Sequence, residues 1–193
     1  MDWETRFQTD DTPWERPGLH PALDHWADLG LLEDGQSIII PGCGRAREPL
    51  ELARAGQDVT VADLSETALA WQKEAFEVEG LPAHFEYGNA LNFRPPALFD
   101  LIWEQTFLCA ISPKDREAYE QTAHAWLKPG GHLLALFMQK DERGGPPYGC
   151  SIDAMRTLFP ETRWEWPQES AFRPFPHPSL NGKPEIAAPL KRL

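Results

Sequence analysis

Apolar residues in this chain come in short unbroken runs, separated by longer amphipathic stretches. The runs Ile38–Ile40, Val59–Ala62, Leu101–Trp103 and Leu133–Met138 lack the alternation of a half-solvated strand. They predict strands buried on both faces, as in a parallel sheet. Strands are therefore expected at Ser37 to Pro41, Asp58 to Asp63, Phe99 to Glu104 and His132 to Met138, and a further strand at Ala83 to Tyr87, where apolar and polar residues alternate. Helices are expected between them. Leu23, Trp26, Ala27 and Leu31 recur at helical spacing within His20 to Leu31. Glu48 to Ala55 is helix-compatible, with Pro49 tolerated in the first turn and Gly56 as a stop. Ser65 is a good N-cap for a helix that reaches about Glu79 before Gly80. Pro113 opens another that reaches Leu127. Gln105 to Ser112 reads as a loop, and Lys128-Pro129-Gly130-Gly131 as a turn.

The tail has a different pattern. Asp141 to Gly149 is a Gly/Pro loop, followed by a short helix over Ser151 to Phe159. Thr162 to Glu169 and Glu185 to Leu193 read as two strands joined by a loop dense in Pro174, Pro176, Pro178 and Pro184. Two strands joined without a helix are most easily antiparallel. The whole is an α/β pattern of seven strands, mostly parallel, with helices on both faces and an antiparallel C-terminal strand. One domain over residues 1–193 is expected, with residues 1–35 forming an N-terminal aromatic cap and helix.

The stretch from Ser37 to Asp63 carries the first chemistry. A strand stops at Pro41-Gly42-Cys43-Gly44, a helix follows, and the next strand ends in Asp63. Ligands bind outside the carboxyl ends of strands in such sheets. The residues expected there are Pro41 to Gly44, Asp63, Gly88 to Ala90, Glu104 to Phe107 and Met138 to Tyr148. A glycine turn lets backbone approach a ligand closely, and the N–H groups of the helix that follows then favour an anionic group. Asp63 stands where a carboxylate would meet ribose hydroxyls. Arg47 occupies the third glycine position of the dinucleotide fingerprint, and a Tyr-x-x-x-Lys pair is missing. Both observations count against a nicotinamide-dependent oxidoreductase and for a smaller adenosyl cofactor.

Composition narrows the classes further. The chain has 193 residues, 41% hydrophobic and 25% charged, with a formal net charge of −12. That balance is poor for phosphate backbones, so no nucleic-acid partner is expected. No apolar stretch is long enough for a membrane helix, and the N-terminus has no signal pattern. Cys43, Cys109 and Cys150 do not pair as a disulfide framework, and the six histidines show no ligand spacing. No metal is expected, and a reducing, cytoplasmic setting fits.

Several motifs together resemble the seven-stranded, Rossmann-like S-adenosylmethionine-dependent methyltransferases. They are similar in particular to the thiopurine S-methyltransferase superfamily and its halide/thiol branch. The matching residues are Thr12-Pro13-Trp14, Pro41-Gly42-Cys43-Gly44, Asp63-Leu64-Ser65-Glu66 and Phe99-Asp100-Leu101-Ile102. Phe107 to Ile111, Leu127 to Gly130 and Gly145-Pro146-Pro147-Tyr148 continue the match. The resemblance implies that Trp14 packs on S-adenosylmethionine and that Gly42, Cys43 and Gly44 wrap its methionine part. Asp63 and Leu64 would meet the ribose and its surroundings, Asn89 and Ala90 the adenine, and Glu104 the amino group. Tyr148 would point at the acceptor, with Phe107, Trp3 and Phe7 as pocket walls. Thiopurine-type members carry Asp-Arg where this chain has Glu104-Gln105. That difference favours a small soft nucleophile such as a thiol, hydrogen sulfide or halide. A thiopurine, a selenium or tellurium acceptor, and a cofactor-binding protein without catalysis are the alternatives. A monomer acting on a small molecule is expected.

Overall fold

A computed structural model describes residues 2–178 and 180–193. The backbone clusters into two compact units, one up to Phe93 and one over Arg94–Leu193.

The first unit contains α1 (Trp3–Gln8), α2 (Ala22–Asp28), β1 (Ser37–Pro41), α3 (Glu48–Arg54), β2 (Asp58–Asp63), α4 (Glu66–Glu79) and β3 (His84–Tyr87), then a 3-10 turn at Ala90–Asn92. β1 pairs parallel with β2, Ile39 opposite Thr60, and β2 pairs parallel with β3, Asp63 opposite Tyr87. Ile38, Ile39, Val59 and Val61 are fully buried, as an unbroken apolar run requires. α4 starts as expected: the Ser65 Oγ accepts from the Ala68 N–H at 3.0 Å. It ends at Gly80, whose φ of +66° is the left-handed cap position. Phe76 of α4 meets Phe85 of β3 edge to face, centroids 5.6 Å apart.

The second unit contains β4 (Phe99–Gln105), α5 (Phe107–Ala110), a 3-10 turn at Pro113–Asp115, α6 (Arg116–Trp126), β5 (Leu127–Met138), α7 (Ile152–Leu158), β6 (Trp164–Glu165), a 3-10 turn at Glu169–Ala171, β7 (Arg173–Pro176) and β8 (Pro184–Arg192). β4 and β5 are parallel, while β5, β6 and β7 each pair antiparallel with β8. The expected α/β class with parallel strands and an antiparallel C-terminal strand is present. The strand number is eight among the described residues, where seven were expected.

Three local expectations are corrected. The loop after β4 contains α5, because the Glu104 carboxylate reaches forward and accepts from the Leu108 N–H at 2.7 Å. The Lys128–Gly131 turn is a bulge inside β5: Phe99 faces Leu127, but Leu101 already faces His132. Gly131 permits this, since a Cβ there would lie 2.7 Å from the Asp100 carbonyl oxygen. The strand expected over Thr162 to Glu169 shrinks to Trp164–Glu165, and the Pro-dense loop supplies β7 instead. Proline lacks the ladder donor, and β7 carries it at Pro174 and Pro176.

Candidate active site

The glycine turn leaves β1 with Gly42 and Gly44 at φ of +60° and +50°, conformations that side chains rarely adopt. Its amides point inward. Gly42 N–H donates to the Ala62 carbonyl at 2.7 Å, Cys43 N–H to the same oxygen at 3.4 Å, and Gly44 N–H to Asp63 Oδ2 at 2.8 Å. Asp63 Oδ1 accepts from the Ser65 N–H at 2.9 Å, so one carboxylate ties the turn to the start of α4. Burial pushes the Asp63 carboxyl up, while these amide bonds pull it back towards the charged form. The Leu64 amide adds to these two, and of the roughly four lone-pair sites of a carboxylate about one remains for a ligand hydroxyl.

The side chain of Gln72, fully buried on α4, was not singled out from the sequence. Its Nε2 donates to the carbonyls of Gly44 at 3.0 Å and Ala46 at 2.9 Å. A lone Gln in an amphipathic helix carries no signal that it clamps a loop 26 residues upstream. Cys43 is buried, and burial together with the charge of Asp63 raises its thiol well above the ordinary range. It packs as a neutral thiol and is not a thiolate nucleophile.

The N-terminal segment docks on this turn. Phe7 is buried, and a Cβ on Gly44 would lie 3.0 Å from its ring. Trp14 receives the rings of Trp3 and Phe7 edge to face at 5.4 and 5.9 Å. The Glu4 carboxylate accepts from Ser65 Oγ at 2.6 Å, Thr67 Oγ1 at 2.6 Å and Thr67 N–H at 3.2 Å. Those bonds hold its pKa down to about 2. The result is a second cap on α4, from a residue whose role no local pattern announces.

At the ends of β2 and β3, Leu64 and Tyr87 expose apolar surface. A cleft of about 230 Å³ opens there, lined by Ala62, Tyr87, Gly88, Asn89, Ala90 and Phe93 among others. Asn89 Oδ1 accepts from the Leu91 N–H at 3.0 Å, and Ala90 is buried.

In the second unit, Glu104 is 1% exposed at the end of β4. Its Oε1 is held by Leu108, while its buried Oε2 has no protein partner. Desolvation raises its pKa to about 7, with Glu185 adding to the rise. The next residue, Gln105, is engaged elsewhere, since its Oε1 accepts from the Trp103 indole at 2.8 Å. Phe107 lies against Tyr119, centroids 5.1 Å apart. Tyr148 is half-buried in the Gly-Pro-Pro-Tyr loop, where the Gly145–Pro146 and Pro146–Pro147 bonds are both cis. The loop is tied down through its backbone. Tyr148 N–H donates to the Cys109 carbonyl at 2.7 Å, Arg116 to the carbonyls of Gly149 and Tyr148 at 3.0 and 3.4 Å, and Lys140 to those of Gly144 and Pro147. Cys109 and Cys150 are buried, with thiols pushed up by desolvation, Cys150 to about 12. Among the described residues no group of His, Cys, Asp and Glu forms a metal site, and no helix is long and apolar enough to cross a membrane.

The profile of the family described as thiopurine S-methyltransferase matches residues 1–177. This chain belongs to that family. It is an S-adenosylmethionine-dependent methyltransferase. The methyltransferase is 34% identical to thiocyanate methyltransferase 1 of Arabidopsis thaliana over 160 residues, 81% of this chain and 70% of that protein. It is 33% identical to the probable thiol methyltransferase 2 of the same plant over 153 residues, 78% and 67% of the two chains. Its fold matches the Burkholderia thailandensis 1,6-didemethyltoxoflavin-N1-methyltransferase with a TM-score of 0.77. That match is 17% identical and covers 99% of this chain and 85% of the other.

The residues present fit the cofactor. In the first unit, Gly42 presents backbone without a side chain at the end of β1, and a cleft lies beside Asn89 at the ends of β2 and β3. In the second unit, taken by itself, the bare Oε2 of Glu104 suits an ammonium group.

Proposed function

We propose that this methyltransferase acts on a small soft nucleophile: a thiol, hydrogen sulfide or a halide. The observation that carries the reading is Gln105. It presents no cation to a carboxylated aromatic acceptor, and its amide oxygen is already taken by Trp103. The similarity to a thiocyanate and a probable thiol methyltransferase supports the same class.

For the cofactor in the first unit we assign Trp14, Gly42, Cys43 and Gly44 to the methionine side, Asp63 and Leu64 to the ribose, and Asn89 and Ala90 to the adenine. In the second unit we assign Glu104 to the amino group. When bound, S-adenosylmethionine supplies a methyl group already activated on a sulfonium sulfur. The protein's part is then to align and to exclude water, which is worth roughly 7–11 kcal/mol when the geometry is good. Trp3, Phe7 and Phe107 serve as apolar walls. Tyr148 directs its phenol at the acceptor, from a loop held rigid by Arg116 and Lys140. No strong general base is required for a thiolate or halide. A monomer in the cytoplasm, without nucleic-acid or membrane partners, fits the net charge of −12.

The test is an assay with methyl-labelled S-adenosylmethionine against iodide, bisulfide, thiophenol and a thiopurine, scored by S-adenosylhomocysteine formed. Turnover is expected with the first three; turnover with the thiopurine alone overturns the acceptor assignment. Tyr148→Phe should lower kcat about tenfold or more, within the usual range for a positioned polar group, and leave cofactor affinity unchanged. Full activity in that variant returns Tyr148 to the role of a rim aromatic.

A further inference from the structure

Arg45 follows the glycine turn directly, and its guanidinium turns back to the N-terminal segment. Its Nε and Nη2 donate to the two oxygens of Glu15 at 2.7 and 3.1 Å. Nη2 also donates to Thr12 Oγ1 at 3.0 Å, and Nη1 to Asp10 Oδ1 at 2.7 Å. Thr12 and Glu15 flank Trp14 on either side. One planar fork thus grips both shoulders of the tryptophan, with the bidentate geometry that lysine does not reproduce. The mount is stiff, because Gln72 holds the carbonyls of Gly44 and Ala46 on either side of Arg45. The fork is also partly shielded: the Arg45 side chain is 19% exposed and lies over the Phe7 ring, 5.7 Å from its centroid.

We propose that Arg45 is a positioning residue for the cofactor, acting through Trp14. The inference rests on the assignment of Trp14 to the cofactor. If Trp14 packs on bound S-adenosylmethionine, its residence there depends on how firmly residues 12 and 15 are held, and Arg45 is what holds them. No contact between Arg45 and ligand is needed. The exposed partner Asp10 contributes least, and the Glu15 pair most.

The experiment is a double-mutant cycle on cofactor release. Tritiated S-adenosylhomocysteine is bound to the full chain and chased with unlabelled ligand, for wild type, Arg45→Gln, Trp14→Ala and the double variant. Arg45→Gln is expected to speed release about tenfold, and Trp14→Ala at least as much. The double variant should release no faster than Trp14→Ala alone, because Arg45 has nothing left to hold. Release from wild type should quicken with salt, while release from Arg45→Gln should not. Arg45→Lys should fall between wild type and Arg45→Gln. Lys128→Gln, which removes a surface pair with Asp100 in the other unit, should match wild type. If Arg45 only stabilises the fold, Arg45→Gln unfolds at lower temperature with release unchanged, or the two single effects multiply; either result overturns the proposal. Release from Trp14→Ala at the wild-type rate instead overturns the assignment of Trp14 to the cofactor. Should Trp14→Ala not fold, Trp14→Phe takes its place in the cycle, with the same expected order.

Discussion

In the Glu104→Gln variant, binding of S-adenosylhomocysteine is expected to lose its pH dependence. In the wild type, Glu104 is buried with its pKa near 7 and with Oε2 bare. The charged groups that influence it are Glu185 on β8 and Arg116 on α6; the Glu185 charge raises the pKa and Arg116 lowers it. Tyr119 and the thiols of Cys109 and Cys150 are neutral at about pH 7, since burial raises all three. An ammonium group seated on Oε2 favours the ionised carboxylate, so binding at low pH must first expel a proton. Affinity should therefore rise roughly 20-fold from about pH 5.5 to about pH 7.5 and then level off. In Glu104→Gln the profile should be flat, and affinity at about pH 8 should fall by roughly 1.5–3 kcal/mol, the worth of a hydrogen bond to a charged group. Calorimetric titration across this range checks both. A flat wild-type profile would sink the assignment of Glu104 to the amino group.

The same shift has a consequence for the unliganded protein. Glu104 keeps its proton in the folded state above the pH at which the unfolded chain releases it. Its contribution to stability is therefore complete below about pH 4.5 and is lost as pH rises through about 7. The loss is about 3 kcal/mol relative to Glu104→Gln, as an order of magnitude. Denaturant unfolding of both proteins at about pH 5 and about pH 8 measures it.

Replacing Asp63 is expected to cost more. Asp63→Ala leaves the Gly44 and Ser65 amides without acceptors in a buried site. Each orphaned donor costs roughly 1–3 kcal/mol, so stability should fall by roughly 2–6 kcal/mol. The turn then loses its tie to α4, and the ribose loses its acceptor. Affinity for S-adenosylhomocysteine should drop about 100-fold or more, consistent with losing a charge-assisted bond together with the geometry of the turn. Asp63→Asn should be nearly as damaging, because its amide nitrogen would face one of the two N–H donors. Titration calorimetry and thermal unfolding separate the two losses. Wild-type affinity in a folded Asp63→Ala protein contradicts the ribose role.

Apart from α1, which no expectation placed, strand and helix positions in the first unit were legible because their causes are local. Three consecutive isoleucines before a Pro-Gly turn, Ser65 before a helix and Gly80 after it act within a few residues of themselves. Where local signals failed, the cause lay far along the chain or across the sheet. α5 exists because Glu104 caps it from inside the sheet. The bulge in β5 exists because Gly131 lets two backbones approach. β7 forms from a proline-dense loop because β8 offers an antiparallel edge. Neither periodicity nor turn chemistry encodes such partners.

By itself, the sequence determined the α/β pattern, the glycine turn with its acid, the family and the absence of an arginine beside Glu104, because each is a property of residue types in order. Only the tertiary structure decided what those residues hold. It turned the amides of the glycine turn inward onto Ala62 and Asp63, and it set Glu4 on Ser65 and Thr67, 61 and 63 residues away. It also folded Arg45 back onto Thr12 and Glu15, and it left Glu104 Oε2 bare. The physical reason is the same in each case. A hydrogen bond between residues distant in sequence depends on where the fold brings their backbones, and no pattern of neighbours records that distance.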